Sequence, residues 1–315
     1  MVDHNHQEQS QSESQKNLQT ELSCLVAYDA SEHARAAIQL LLDLPAEAEL
    51  DWSMPIEILG LGDAFRQAAP EEGELDYLLA GDGNPASLLS SLGQARENAR
   101  TTRDIVPSEV WQAINELHLF AADKLPALGR RSGSEVCDGI VRRCHEITGI
   151  LEGGMSRGPA YQFVRLGRSL ERADMTSRMI DVAAAIMMTG REQLAHHSNT
   201  IWRSVLRALS AYQMYRQFVR RRVTGEDVLG FLLLNADFPR SIMHCVAQLD
   251  TAAVALPHHQ ATRAKVAVLQ AELAELDFLS LNYATVHRLV DELQLEFAAV
   301  DRTVFESWLD PVREN

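Results

Sequence analysis

The chain has 315 residues and a mass of 35.1 kDa, and 29 Lys and Arg against 44 Asp and Glu give it a formal charge of −15. Apolar residues at 46% beside charged residues at 23% supply enough material for a core, which excludes global disorder. A chain this acidic lacks the diffuse positive field that draws proteins onto phosphate backbones or anionic lipid, so neither nucleic acid nor a membrane is expected as a partner.

Residues 1–20, rich in Gln, Ser, Glu and His, hold almost nothing to bury and are read as a disordered tail. They show no basic region followed by an apolar core, so no secretory signal is read there. From residue 21 to 312 the pattern is helical nearly throughout. The expected fold is all-α, a single antiparallel, bundle-like domain. Residues 45–83, broken by Pro45, Pro55, Pro70 and several glycines, are taken as an elaborate connection inside that domain. Leu88, Leu92, Ala95, Ala99, Thr102 and Val106 recur at four-three spacing, one face of a helix that Asn84-Pro85 is expected to start. Pro107 opens the next helix, with Val110, Ile114 and Leu117 on its inner face. Further helices are predicted over about 134–152, 159–189, 199–222, 239–255, 262–276 and 278–308. Thr224 to Asp227 resembles a capping box, and Asp237-Phe238-Pro239 is a second start signal. The longest apolar run, 228–234, falls short of the ~18–20 residues a bilayer demands. Cysteines at 24, 137, 144 and 245 form no CxxC pair, which points to free thiols and a reducing cytoplasm.

The stretch Leu166 to Val182 is the most informative. Phe163, Leu166, Leu170, Ala173, Ser177, Ile180 and Ala184 make one apolar-to-small stripe, and Val164, Met175 and Val182 make a second. Glu171, Asp174, Arg178 and Asp181 lie between them. A charged line flanked by apolar residues on both sides is expected to point into a seam between helices, where only opposite charges and donors offset its desolvation. Asp174 and Arg178 stand at i,i+4 with the acid first, the favourable order. Glu171 and Asp174 repel each other locally and need an outside cation. Arg96, Arg100 and Arg103, with Glu97 and Asp104 beside them, are expected to supply guanidiniums from the helix before. The seam reads either as a network fixing helix register or as a binding site. Two carboxylates in a cleft also suit acid–base work.

Asp29 and Glu32 echo Glu171 and Asp174 as carboxylates at i and i+3. Three segments, Ser87 to Trp111, Leu166 to Val182 and Phe231 to Ser241, make the sequence resemble the bacterial alpha-E family, all-helical proteins named for a Glu-Arg motif in two related copies. The likeness extends over roughly residues 20–310. By motif, Glu171, Arg172, Asp174 and Arg178 match the second copy; Arg96, Glu97, Asn98 and Arg100 match the intervening helix; Asp29 and Glu32 match the carboxylates of the first. The first copy departs from the family's Glu-Arg-Ala-Glu followed by a positioned Arg. The resemblance implies a single helical domain in the genomic company of ATP-grasp proteins and peptidases, and so a system that makes, modifies or trims small peptides. It carries no established reaction. The reading is an accessory or binding component with an ATP-grasp-type partner and a peptide or amino-acid ligand, not an enzyme on its own. The alternatives are an enzyme of the same system using the Glu/Asp/Arg cluster, and a scaffold.

No cofactor and no metal are expected. Gly60-Leu61-Gly62 lacks the third glycine and the strand–helix context of a dinucleotide fingerprint. No histidine has Glu three residues before it, against a ferritin-like di-iron site. Cys137 and Cys144 are read as core thiols with His145 a step away, and Glu192, His196 and His197 as a helix end. Arg216, Arg220, Arg221 and Arg222, near Tyr212, Tyr215 and Phe218, form the one concentrated basic patch, read as a helix end or a docking surface for an acidic partner.

Overall fold

Apolar side chains on more than one face of residues 159–188 dictate the architecture, because such a helix must be surrounded by others. The computed structural model describes residues 74–81, 84–85, 87–126, 133–188, 198–276 and 282–308, together with Ile56 and Phe65. The described helices are α1 (Glu74–Ala80), α2 (Leu88–Thr101), α3 (Ser108–Lys124), α4 (Gly133–Gly154), α5 (Pro159–Met188) and α6 (Ser198–Ala208). They continue with α7 (Tyr212–Val219), α8 (Gly225–Leu234), α9 (Ile242–Ala253), α10 (Gln260–Ala274) and α11 (Tyr283–Trp308). The fold is an all-α, multi-helix bundle, with no strand among the described residues. No helix among them is long and apolar enough to cross a membrane.

Helix α5 is the spine. Eighteen of its 30 residues are buried, which places it inside the bundle. It packs against α11, α9 and α6, while α2, α3 and α4 pack on one another in series. Helix α11 turns a single stripe inward, Val286, Val290, Leu293, Phe297, Val300, Val304 and Trp308, all buried. Polar bonds fix α5 against α9 and its leading loop: Arg165 Nη2 donates to Gln248 Oε1 at 2.5 Å, and Thr176 Oγ1 to the Arg240 carbonyl at 2.7 Å. Cys137 and Cys144 are buried in the core, and His145 is exposed, as the spacing predicts.

Helix boundaries differ from expectation in several places; α9 starts at Ile242 behind a Ser241 cap and not at Asp237-Phe238-Pro239, and α8 falls between the predicted spans. Helix α2 starts at Leu88, capped by Ser87, whose side chain accepts from the Ser90 N–H, and not at Asn84-Pro85. Asn84 is instead buried, donating to the Tyr77 carbonyl at 3.0 Å. The helix expected over 199–222 is broken at Ser210, whose φ is 52°. The Ala211 N–H reaches back to the Leu206 carbonyl and the Ser210 N–H to that of Arg207, a Schellman closure. The Thr224 cap is as expected, its hydroxyl accepting from the Asp227 N–H at 3.2 Å. The tail at 1–20, Asp29, Glu32, and the Glu192, His196 and His197 group lie outside the described residues.

Candidate functional site

On α5, Glu171, Asp174, Arg178 and Asp181 fall within about 80° of helical arc, so they share one face. None lies on an outward ridge. Glu171, Asp174 and Arg178 are half-buried and Asp181 is buried. Arg178 Nε donates to Asp174 Oδ2 at 2.7 Å, as the i,i+4 order predicts.

The arginines of α2 are engaged elsewhere. Arg100 pairs with Glu97 one turn away on the exposed face of α2, and this bond holds the Glu97 carboxyl below its usual range. Arg96 Nε donates to Asn115 Oδ1 at 2.7 Å and its guanidinium lies over the Trp111 ring. Arg103 is exposed. Two of the guanidiniums expected to bridge from α2 to Glu171 and Asp174 are therefore engaged within the α2–α3 hairpin, Arg100 one helical turn away and Arg96 across to α3.

The flank of α5 next to Glu171 carries Arg165, Arg168 and Arg172. Arg168 Nη1 binds Glu152 Oε1 at 2.7 Å, and Tyr161 donates its hydroxyl to Glu152 Oε2 at 2.6 Å. Burial raises the Glu152 carboxyl, but those two bonds outweigh it and its pKa falls below the ordinary value. Arg168 Nη2 and Arg172 Nε are buried without a hydrogen-bond partner among the described residues.

At the far end of the charged line, α5 meets α11 in a cluster that the residue pattern did not disclose. Asp181, 3% exposed in its side chain, is hydrogen-bonded to His287 Nδ1. His287 is 37% exposed, and its Nε2 lies 3.7 Å from Asp291 Oδ2. Burial pushes the Asp181 carboxyl up, against the pull of the His287 bond and of Arg178. The Asp181 bond pushes the His287 imidazole up, ahead of the opposing effect of burial. The pair as a unit thus keeps its protons to higher pH than two isolated groups do. Asp181, His287 and Asp291 each offer one donor atom, all within 4.8 Å, which is a set able to hold a divalent cation. The hydrogen bond with Asp181 that fixes the imidazole through Nδ1 also suits the same arrangement to proton transfer.

Gly154-Met155-Ser156-Arg157-Gly158 has the letters of a nucleophile elbow, but it joins α4 to α5, and the elbow requires a strand leading into a helix. His287 and Asp291 had only a weak signal, an i,i+4 pair flanking the α11 stripe. Their link to Asp181 spans 106 positions and is set by packing alone.

The fold and site define a helical domain built on a long central helix with a sequestered line of acids and guanidiniums, which includes the chain's one Glu-Arg dipeptide, Glu171-Arg172. Residues 27–309 match the Alpha-E family, described as a predicted alpha-helical domain with a conserved ER motif, and the chain belongs to that family. No curated protein and no solved structure matches it.

Proposed function

We propose that this Alpha-E chain works in a peptide-ligating or peptide-modifying system beside an ATP-grasp-type protein, in the cytoplasm, and contributes a reactive centre of its own at Asp181 and His287. The observation that carries the reading is the geometry of that pair. A buried carboxylate holds His287 by Nδ1, and Nε2 of this partly exposed ring lies 3.7 Å from Asp291 Oδ2. An imidazole fixed in this way can pass protons through its outer nitrogen, a role worth about 10²–10⁴ in rate. Glu171, Asp174 and Arg178 run along the same face of α5 and suit the charged ends of an amino-acid-like substrate, acids for an amine and a guanidinium for a carboxylate. In this reading Arg172 offers its unpartnered Nε from the neighbouring flank of α5, Asp29 and Glu32 form the matching half of the site, and the α2 residues Arg96, Glu97, Arg100 and Arg103 take no direct part. The resemblance to the family supports the ATP-grasp partner.

A second reading, a component that binds without reacting, is favoured by the Asp174–Arg178 bond, which already neutralises two members of the line. One experiment separates the two. The full chain is combined with the ATP-grasp-type protein encoded nearest its gene, ATP and a mixture of amino acids, and peptide products are measured by mass spectrometry. His287→Ala is expected to cut product formation about 100-fold or more, with the circular dichroism spectrum and co-elution of the two proteins unchanged. Undiminished product in that variant overturns the reactive centre and leaves the binding component.

A further inference from the structure

Five guanidinium groups converge where α6 meets α7. Arg203 comes from α6, Arg216 from the last turn of α7, and Arg220, Arg221 and Arg222 from the segment that follows; with Tyr212 they line a cavity of about 700 Å³. Helix-end electrostatics accounts for Arg216, since a cation is favoured at a helix C-terminus. It does not account for Arg203, which stands in the middle of α6, or for three arginines beyond the end of α7. Arg220 also takes a left-handed backbone, φ 55°, a conformation that favours glycine.

Charge balance at this place is unlike that of the chain as a whole. Arg221 pairs with Asp227, and Arg220 Nε donates to the Gln217 carbonyl at 3.2 Å. Arg203, Arg216 and Arg222 have no carboxylate partner among the described residues. In a molecule of net charge −15, acids to answer these groups are plentiful, yet among the described residues the acids acting here, Asp227 and Glu226, act on Arg221. Like charges held together repel; water and salt screen these exposed groups in part, and a ligand that brings several negative charges at once relieves the repulsion further.

The form of the cavity selects among anions. Guanidinium forks match phosphate oxygens two at a time. The volume falls in the range of pockets for nucleotide-sized molecules. Tyr212 offers a ring, with the Arg207 and Arg216 guanidiniums 5.8 and 6.0 Å from its centre. An acidic peptide spreads its charges along an extended backbone, whereas consecutive phosphates concentrate three or four within the span of a few arginines. We propose that this cavity binds an oligophosphate group, borne by a nucleotide or by inorganic polyphosphate. It is formed by α6, α7 and the link to α8, whereas the Asp181–His287 pair belongs to α5 and α11, so the inference does not rest on the function proposed for that pair.

The test is calorimetric titration of the full chain, without divalent cations and at low salt, with tripolyphosphate, ATP, AMP and hexaglutamate. Tripolyphosphate and ATP are expected to bind at least tenfold more tightly than AMP or hexaglutamate. Tighter binding of ATP assigns a nucleotide, and equal binding assigns the phosphate chain alone; both support the proposal. Arg216→Gln combined with Arg222→Gln is expected to weaken binding tenfold or more, and His287→Ala to leave it unchanged. If the double variant loses its circular dichroism signal, Arg203→Gln, at an exposed position, replaces it and is expected to weaken binding at least threefold. Failure of both phosphate compounds to bind at millimolar concentration overturns the proposal. So does hexaglutamate binding as tightly as tripolyphosphate, or an unchanged affinity in the folded arginine variant.

Discussion

At the scale of single residues, the meeting of Asp181 with His287 sets a chemical potential for protons that neither group has alone. Asp181 is buried and hydrogen-bonded to the imidazole, and the bond raises the His287 pKa. Asp181→Asn keeps the shape but removes the charge, so the His287 midpoint is expected to fall back toward the ordinary imidazole value near 6.5, read by NMR titration of the ring; an unchanged midpoint would show that the pair is not coupled. The sign in stability follows from linkage. A histidine whose folded pKa is raised contributes stability that is complete below the unfolded value and is lost as pH rises through the folded one. The gap in melting temperature between the native chain and His287→Gln should therefore be wider at pH 6 than at pH 9. How much of this was legible beforehand divides by cause. Asp181 and the Asp174–Arg178 pair follow from helical spacing, a local property. His287 does not, because its contact depends on how far α11 slides along α5. The guanidiniums expected from α2 illustrate the converse: spacing shows which groups seek partners, and Arg100 has Glu97 one turn away.

Among the elements, α8 shows most plainly how a helix is limited by what it touches. Gly225 opens it, and a Cβ there would lie 2.8 Å from Trp202 Nε1 and 3.3 Å from Trp202 Cε2. Trp202 is fully buried and cannot retreat. Gly230 sits in the interior of the same helix with nothing within 4 Å of its would-be Cβ. The two alanine substitutions should thus have opposite signs. Gly225→Ala is expected to destabilise by about 1–3 kcal/mol through overpacking, and Gly230→Ala to stabilise by roughly 0.5–1 kcal/mol through helix propensity, both measured by urea unfolding. Destabilisation by both would mean that the space beside Gly230 closes in solution. Periodicity found α4 and α5 nearly to both ends, with the start of α3 and the end of α11, because each keeps one uninterrupted rhythm. It ran through the break between α6 and α7, since Ser210 supplies the left-handed residue where a glycine would have been visible in the sequence.

Over the whole molecule, α5 and α11 form an antiparallel pair fastened near both ends. Asp181 meets His287 at one end. At the other, Trp308 packs edge-on against Phe163, ring centres 5.7 Å apart, and donates its indole N–H to the Pro257 carbonyl at 2.5 Å. The two fastenings are about 27 Å apart along α5, counted at 1.5 Å per residue. One is polar and half-exposed; the other is an aromatic anchor whose Trp308 is 7% exposed. Trp308→Ala should cost about 3–5 kcal/mol from the lost ring and the cavity it leaves, far more than an edge imidazole can contribute. Sites this distant, with no shared partner, add to within about 0.5 kcal/mol, so Trp308→Ala combined with His287→Ala should equal the sum of the single effects in denaturant unfolding. A coupling above about 1 kcal/mol would instead mean that α11 shifts along α5 as one rigid rod, so that loosening the tryptophan end moves His287 off Asp181. The register of α11 on α5 would then be the variable that controls the proton-holding pair, and the His287 midpoint would fall in Trp308→Ala even though the two residues never touch.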